Sequence, residues 1–166
     1  MTATTTDVDV DTAKTDQAAV SATITLAYEG GEGGFAGGDL LKGGGDDFVL
    51  YGGGGDDVLK GEGGDILYGG AGDDKLKGGG GKDVFVFDSQ AGRDIIEDFR
   101  EGEVLRFEGV EFLPENLSVS QNGDNVSIMF EGQAVEVTIN DVNLNEQSYS
   151  VTRNGDAVLN TFDSEN

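Results

Sequence analysis

From residue 34 to residue 86 an aspartate is followed, two places on, by a large apolar residue: Asp39 by Leu41, Asp47 by Val49, Asp57 by Leu59, Asp65 by Leu67, Asp74 by Leu76 and Asp83 by Phe85. The positions between are mostly glycine or polar. In a chain that is 36% apolar, six such coincidences arise by chance roughly once in five hundred trials. A flexible glycine-rich linker has no phase of this kind. The pattern predicts short strands whose middle side chain faces inward and whose flanking side chains face outward. No single copy can bury its apolar residue alone, so the copies must stack into a coil.

Outside this stretch the pattern changes. Residues 104 to 160 read as antiparallel strands joined by tight turns. Asn122-Gly123 and Asn154-Gly155 each sit between β-prone runs, a strong hairpin signal. The two hairpins resemble each other, Ser118 to Val126 against Ser150 to Val158, through duplication or through two independently favoured turns. The N-terminal residues alternate weakly at Val8, Val10, Ile24 and Leu26, which suits a strand or a tail. Asp7-Val8-Asp9-Val10-Asp11 opens like an EF-hand loop, but Thr12 stands where glycine is required and Ala18 where the bidentate glutamate should be. The chain is therefore expected to divide into an N-terminal extension (1–28), a coil of repeats (29–99) and a C-terminal β cap (100–166).

Composition supports these boundaries. Residues 29–87 hold 23 of the 29 glycines. The whole chain carries 33 acidic and 10 basic residues, a formal charge of −23. So negative a surface repels nucleic acid and anionic lipid and attracts cations. With no histidine or cysteine, imidazole or thiolate zinc sites and His- or Cys-dependent triads are excluded. Oxygen ligands remain, and hard cations such as Ca²⁺ match them. Residues 1–20 show no apolar core of a Sec signal, and no stretch approaches a membrane span. Export, if it occurs, is expected to use another route.

The glycines give the aspartates their setting. Gly52 to Lys60, Gly69 to Lys77 and Gly78 to Val86 match G-G-x-G-x-D-x-U-x, where U is large and apolar. Weaker copies run over Gly34 to Lys42, Gly43 to Tyr51 and Gly61 to Tyr68. Glycine lets the backbone enter positive φ, so a turn can curl its carbonyl oxygens toward one point, and the aspartate adds a carboxylate there. The candidate metal-binding residues are Asp39, Asp47, Asp57, Asp65, Asp74 and Asp83. With them go the turn glycines Gly43, Gly45, Gly52, Gly53, Gly55, Gly61, Gly64, Gly69, Gly70, Gly72, Gly78, Gly79 and Gly81.

These nonapeptides resemble the repeats-in-toxin (RTX) calcium-binding family. The resemblance implies an all-β fold, a parallel β-roll followed here by a C-terminal antiparallel β cap. It also implies that alternate repeats lie on opposite sides, each ion held between one turn and the turn after next. The spacing agrees. Successive aspartates lie 8, 10, 8, 9 and 9 residues apart, but aspartates two repeats apart lie 18, 18, 17 and 18 apart. The columns are then Asp39, Asp57, Asp74 and Asp47, Asp65, Asp83. They offer up to four Ca²⁺ sites, with Asp57 and Asp65, central in their columns, each serving two. Residues 85–99 resemble a degenerate closing turn in which Asp94 would complete an extra site.

The leading expectation is a secreted calcium-binding protein, non-enzymatic because no His-Glu-x-x-His or Gly-x-Ser-x-Gly motif is present and no region outside the repeats suits a catalytic domain. The resemblance implies that it leaves a Gram-negative bacterium by type I secretion and folds on Ca²⁺ outside. Two other readings stand beside it: a self-assembling subunit of a filament, matrix or surface layer, and an accessory module of a secreted enzyme. The outward positions of the strands bear on assembly. One sheet presents Leu40, Lys42, Val58, Lys60, Lys75 and Lys77. The other presents Phe48, Leu50 or Tyr51, Ile66, Tyr68, Val84 and Val86, an apolar face expected to be covered by the terminal segments or by a neighbouring copy.

Overall fold

The computed structural model describes residues 23–25, 32–33, 36–45, 48–108, 116–142, 147–151 and 156–161, the first two and last two spans as backbone only. Three-residue strands stand where the apolar phase puts them. They are β3 (Leu40–Lys42), β5 (Val58–Lys60) and β7 (Lys75–Lys77), each burying its middle residue. Between them run β4 (Val49–Gly54), β6 (Ile66–Ala71) and β8 (Val84–Phe87). Strands two apart pair in parallel, β3-β5-β7 on one sheet and β4-β6-β8 on the other. This is a parallel β-roll.

The roll is longer than the repeats. β1 (Thr23–Thr25) adds in parallel to β3, and β2 (Glu32–Gly33) adds to β4. At the far end β9 (Arg93–Ile96) pairs in parallel with β7, and β10 (Val104–Phe107) with β8. Parallel pairing thus crosses both boundaries expected near 29 and 99. Residues 104–107, expected among antiparallel strands, form the last parallel rung of their sheet. The reason is visible in Glu103-Val104-Leu105, which repeats the phase of acid followed by apolar residue with glutamate in place of aspartate.

Two facing ladders make the core. Leu41, Leu59, Leu76 and Ile96 line one sheet, and Leu50, Leu67, Phe85 and Leu105 the other, none more than 1% exposed. Burying each such side chain contributes about 1.5–3 kcal/mol, which offsets the ordering of glycine-rich turns. Leu50 corrects the expectation that Val49 faces inward: Val49 is half-buried and Tyr51 points outward. A one-residue shift in that repeat turns each side chain to the opposite face. Toward the C-terminal end the core widens into aromatics, with Phe87 on Phe107 (5.4 Å between centroids) and Phe107 edge-on to Phe130 (4.7 Å).

The cap is built from hairpins, as expected. β11 (Leu117–Asn122) and β12 (Asn125–Phe130) pair antiparallel, with Gly123 at φ 65° in the first central position of the turn. That is where a type II′ turn requires glycine. β13 (Glu136–Ile139) joins β12 to β9. β14 (Gln147–Val151) and β15 (Asp156–Thr161) pair antiparallel and add to β10; the Asn154-Gly155 turn lies outside the described residues. The two similar hairpins hold corresponding places, one at the end of each sheet. Both prolong sheet edges, which need backbone partners. They do not lie over the outer face of the second sheet, where one of the sequence expectations put them.

Candidate metal centre

Each turn column is held together by its own aspartates. The N–H of Asp39 donates to Oδ1 of Asp57 (2.7 Å), that of Asp57 to Asp74 (2.8 Å), and that of Asp74 to Asp94 (2.9 Å). On the other side the N–H of Asp65 donates to Oδ1 of Asp83 (2.8 Å). One carboxylate oxygen is thereby spent on the sheet. The other is not. Oδ2 of Asp57, Asp74, Asp83 and Asp94 and Oε1 of Glu103 are buried with no hydrogen-bond partner. All five side chains are at most 1% exposed.

The glycines keep space in front of those oxygens. A Cβ at Gly52 would collide with Oδ2 of Asp57, and one at Gly69 or Gly78 with Oδ2 of Asp74 or Asp83. Gly61 stands in the same relation to Asp65. The second and fourth turn positions take positive φ, at Gly70 (102°) and Gly72 (132°) as at Gly53, Gly55, Gly79 and Gly81. L side chains rarely adopt that conformation. Gly64 holds the fourth place in its shorter turn. Gly43 heads the second repeat, its N–H on the Lys60 carbonyl (2.8 Å) as that of Gly61 is on Lys77 (2.8 Å). Gly45 faces open space.

Buried carboxylates without partners are costly as anions. Burial pushes Asp57 up to about 7, opposed by the N–H of Asp39 and reinforced by the charge of Asp74. Asp94 is likewise pushed up to about 7, and Asp74 and Asp83 are raised by burial. Glu103 is pushed up to about 8 by burial, with the Arg100 N–H opposing and Asp83 adding. Either protons or a cation must neutralise the columns. Oxygen-only ligands fit a hard cation. Among the described residues no three acidic side chains converge on one point, so a bound cation would draw its remaining ligands from backbone carbonyls of the positive-φ glycine turns and from water.

The column assignment needs correction at two places. Asp47 lies outside the described residues. The residue after it, Phe48, holds the aspartate position: its N–H donates to Oδ1 of Asp65 (2.8 Å), and its ring packs against the core. Phe48 therefore does not belong to the outer apolar face, and the first described acid of the second column is Asp65. Asp65 differs again, since its Oδ2 accepts the N–H groups of Glu62 (2.9 Å) and Gly63 (3.1 Å) across a turn one residue short. At the other end Asp94 accepts the N–H of Asp74 and so continues the first column, and Glu103 extends the second, which sequence reasoning missed. Its signal was Leu105 two places on; the loss of glycines and the change of acid hid it. Asp98, also missed, accepts the N–H groups of Gly78 (2.9 Å) and Gly79 (3.0 Å).

Of the apolar face, Tyr51 is 41% exposed and stacks on Tyr68 at 4.5 Å; Ile66, Tyr68 and Val84 are half-buried and Val86 is buried. No helix among the described residues is long and apolar enough to cross a membrane.

The family described as RTX calcium-binding nonapeptide repeat (four copies) matches residues 33–65 and 61–96. Among solved structures the chain is similar to the extracellular lipase LipA from Serratia marcescens. Identity is 32% and the TM-score 0.64, over 74% of this chain and 20% of that one. This chain thus spans about a fifth of the lipase's length. Among curated proteins no sequence match was found.

Proposed function

Because residues 33–96 are RTX calcium-binding nonapeptide repeats, we propose that this chain is a secreted, non-enzymatic calcium module that folds when Ca²⁺ fills its two turn columns. The observation that carries this is the row of buried carboxylate oxygens without partners, with glycines keeping the space open before those of Asp57, Asp74 and Asp83. Empty, the columns repel themselves in a chain of formal charge −23. Filled, the binding free energy becomes folding free energy. Low calcium inside a Gram-negative cell would keep the chain exportable, and millimolar calcium outside would fold it. Circular dichroism titrated with Ca²⁺ and with Mg²⁺ tests the proposal. Calcium should induce the β spectrum and magnesium, which demands a stricter octahedron, should not. A complete β spectrum in metal-depleted buffer at neutral pH, unchanged by calcium, would sink it.

A second reading has its own support. The similar solved protein is a lipase five times longer than the matched span, which favours the role of an accessory module beside an enzyme. Self-assembly through the Tyr51–Tyr68 face is the third, supported by the exposed stack. Light scattering with and without calcium distinguishes assembly from a monomer.

A further inference from the structure

The second column does not end where the nonapeptides end. Val104 pairs with Val84, and its N–H donates to the Asp83 carbonyl (2.9 Å), as the Val84 N–H donates to Asp65 (2.8 Å). Glu103 thus stands beside Asp83 as Asp83 stands beside Asp65. The side chain behaves differently, however. In the earlier rungs the later carboxylate accepts the N–H of the earlier residue. Glu103 instead bends back, its Oε2 accepting the N–H of Arg100 (2.7 Å). The extra methylene of glutamate permits this. Its Oε1, like Oδ2 of Asp83, is buried with no donor from the rest of the protein. The two carboxyl groups are close enough to interact directly. Of the basic residues here, Arg100 pairs with Asp98 (3.3 Å), and Lys82 is exposed, its side chain lying against Gly102.

We infer that Asp83 and Glu103 form a further divalent-cation site, outside the matched repeats, that closes the second column at the joint between roll and cap. Two buried anions facing each other need a bridging cation or a shared proton. An oxygen-only pair beside the positive-φ turn of Gly79 and Gly81 suits calcium. The position gives the site a structural consequence. Glu103 immediately precedes β10, the strand on which the β14–β15 hairpin docks. Filling the site fixes that strand, so docking of the second hairpin becomes calcium-dependent. The inference rests on the calcium reading of the columns and adds one site to it.

Native mass spectrometry and calorimetry with Ca²⁺ on the full chain test it, comparing wild type, Glu103→Gln and Glu103→Asp. Glu103→Gln keeps the shape and the bond to Arg100 and should load at least one ion fewer than wild type. Its β10 and β15 amides should exchange hydrogen faster in calcium. Glu103→Asp should keep the full count, with one ion bound at least about tenfold more weakly. Equal counts and affinities for wild type and Glu103→Gln overturn the inference; the pair then shares a proton. If Glu103→Gln does not fold at saturating calcium, Glu103→Asp decides, and unchanged affinity for each ion overturns it. A wild type that takes up no calcium overturns the calcium reading as a whole, a result distinct from the loss of this one site.

Discussion

The two turn columns are built from the same repeat, yet they differ at both ends. The first runs Asp39, Asp57, Asp74, Asp94 with an unbroken ladder of N–H to Oδ1 bonds. The second runs Phe48, Asp65, Asp83, Glu103, with an apolar residue at its head and a bent-back glutamate at its foot. Within it the short turn before Asp65 donates two N–H groups to the oxygen that its counterparts leave open. The comparison teaches that the backbone register sets the column even where one of its places holds no acid. The carboxylates are tenants of that register, and one place can be given to phenylalanine without breaking the coil.

The largest expected effect follows from which acids are central. Asp74 lies between Asp57 and Asp94, and Asp83 between Asp65 and Glu103. Asp74→Ala and Asp83→Ala should each remove or weaken two calcium sites. Asp39→Ala and Asp65→Ala, at the first described acids of their columns, should touch one. This replaces the ranking by sequence, in which Asp65 was central and Asp83 an end. Calorimetric ion counts decide it, and a larger loss for Asp65→Ala than for Asp83→Ala would restore the earlier columns.

One site, not two, is at stake in the glycines. The Cβ of Gly78→Ala would enter the space before Oδ2 of Asp83, whereas that of Gly45→Ala meets nothing within 4 Å. The first should weaken calcium binding at its site by about 10- to 100-fold, comparable to losing a supporting ligand contact. The second should leave counts and affinities unchanged. A calcium titration of both variants checks the pair, and similar losses would mean that the glycines act only through chain flexibility.

Much of this was legible because the signal is local. Leu59, Leu67, Leu76 and Phe85 follow their aspartates by two places, and strand periodicity carries that phase straight into the core. The turn around Gly123 was legible for the same reason. The start of the second column was not. Asp46-Asp47 precedes Phe48-Val49-Leu50, so two acids and several apolar residues compete for one register, and only the bond from Phe48 to Asp65 settles it. The attachment of the hairpins was equally hidden, since an edge strand's partner is set by tertiary pairing and not by its own sequence.

Acid should narrow the difference between empty and filled columns. Asp57 and Asp94 are pushed up to about 7 and Glu103 to about 8, chiefly by burial. For a group raised in the fold, the stabilisation is full below its unfolded value, near 4, and is lost as pH rises through the folded value. Metal-depleted protein should therefore show more β structure at pH 5 than at pH 8, with the change centred near 7. Calcium competes with those protons, so its affinity should fall over the same interval as the buffer is acidified. Circular dichroism of metal-depleted protein across this range is the check, and a flat response would mean that the carboxylates are solvated when empty.

The smallest effects belong to the outer faces, where the two sheets differ most in chemistry. On one, Lys42, Lys60 and Lys77 stand in register, and Lys42 bonds to Glu62 at 3.2 Å with both side chains about half exposed. On the other, Tyr51, Tyr68 and Val86 stand in register. Tyr68→Lys removes the aromatic stack and should cost about 1–2 kcal/mol in the calcium-bound form, counting the pair and its buried area. Lys60→Glu places an acid between two lysines. Exposed pairs are worth little, so it should change stability by less than about 1 kcal/mol, in the stabilising direction. Thermal melts in saturating calcium measure both. A Tyr68→Lys protein that melts like Lys60→Glu would show that the tyrosine face is merely solvated, while loss of a larger species in light scattering would show that it holds a neighbouring copy.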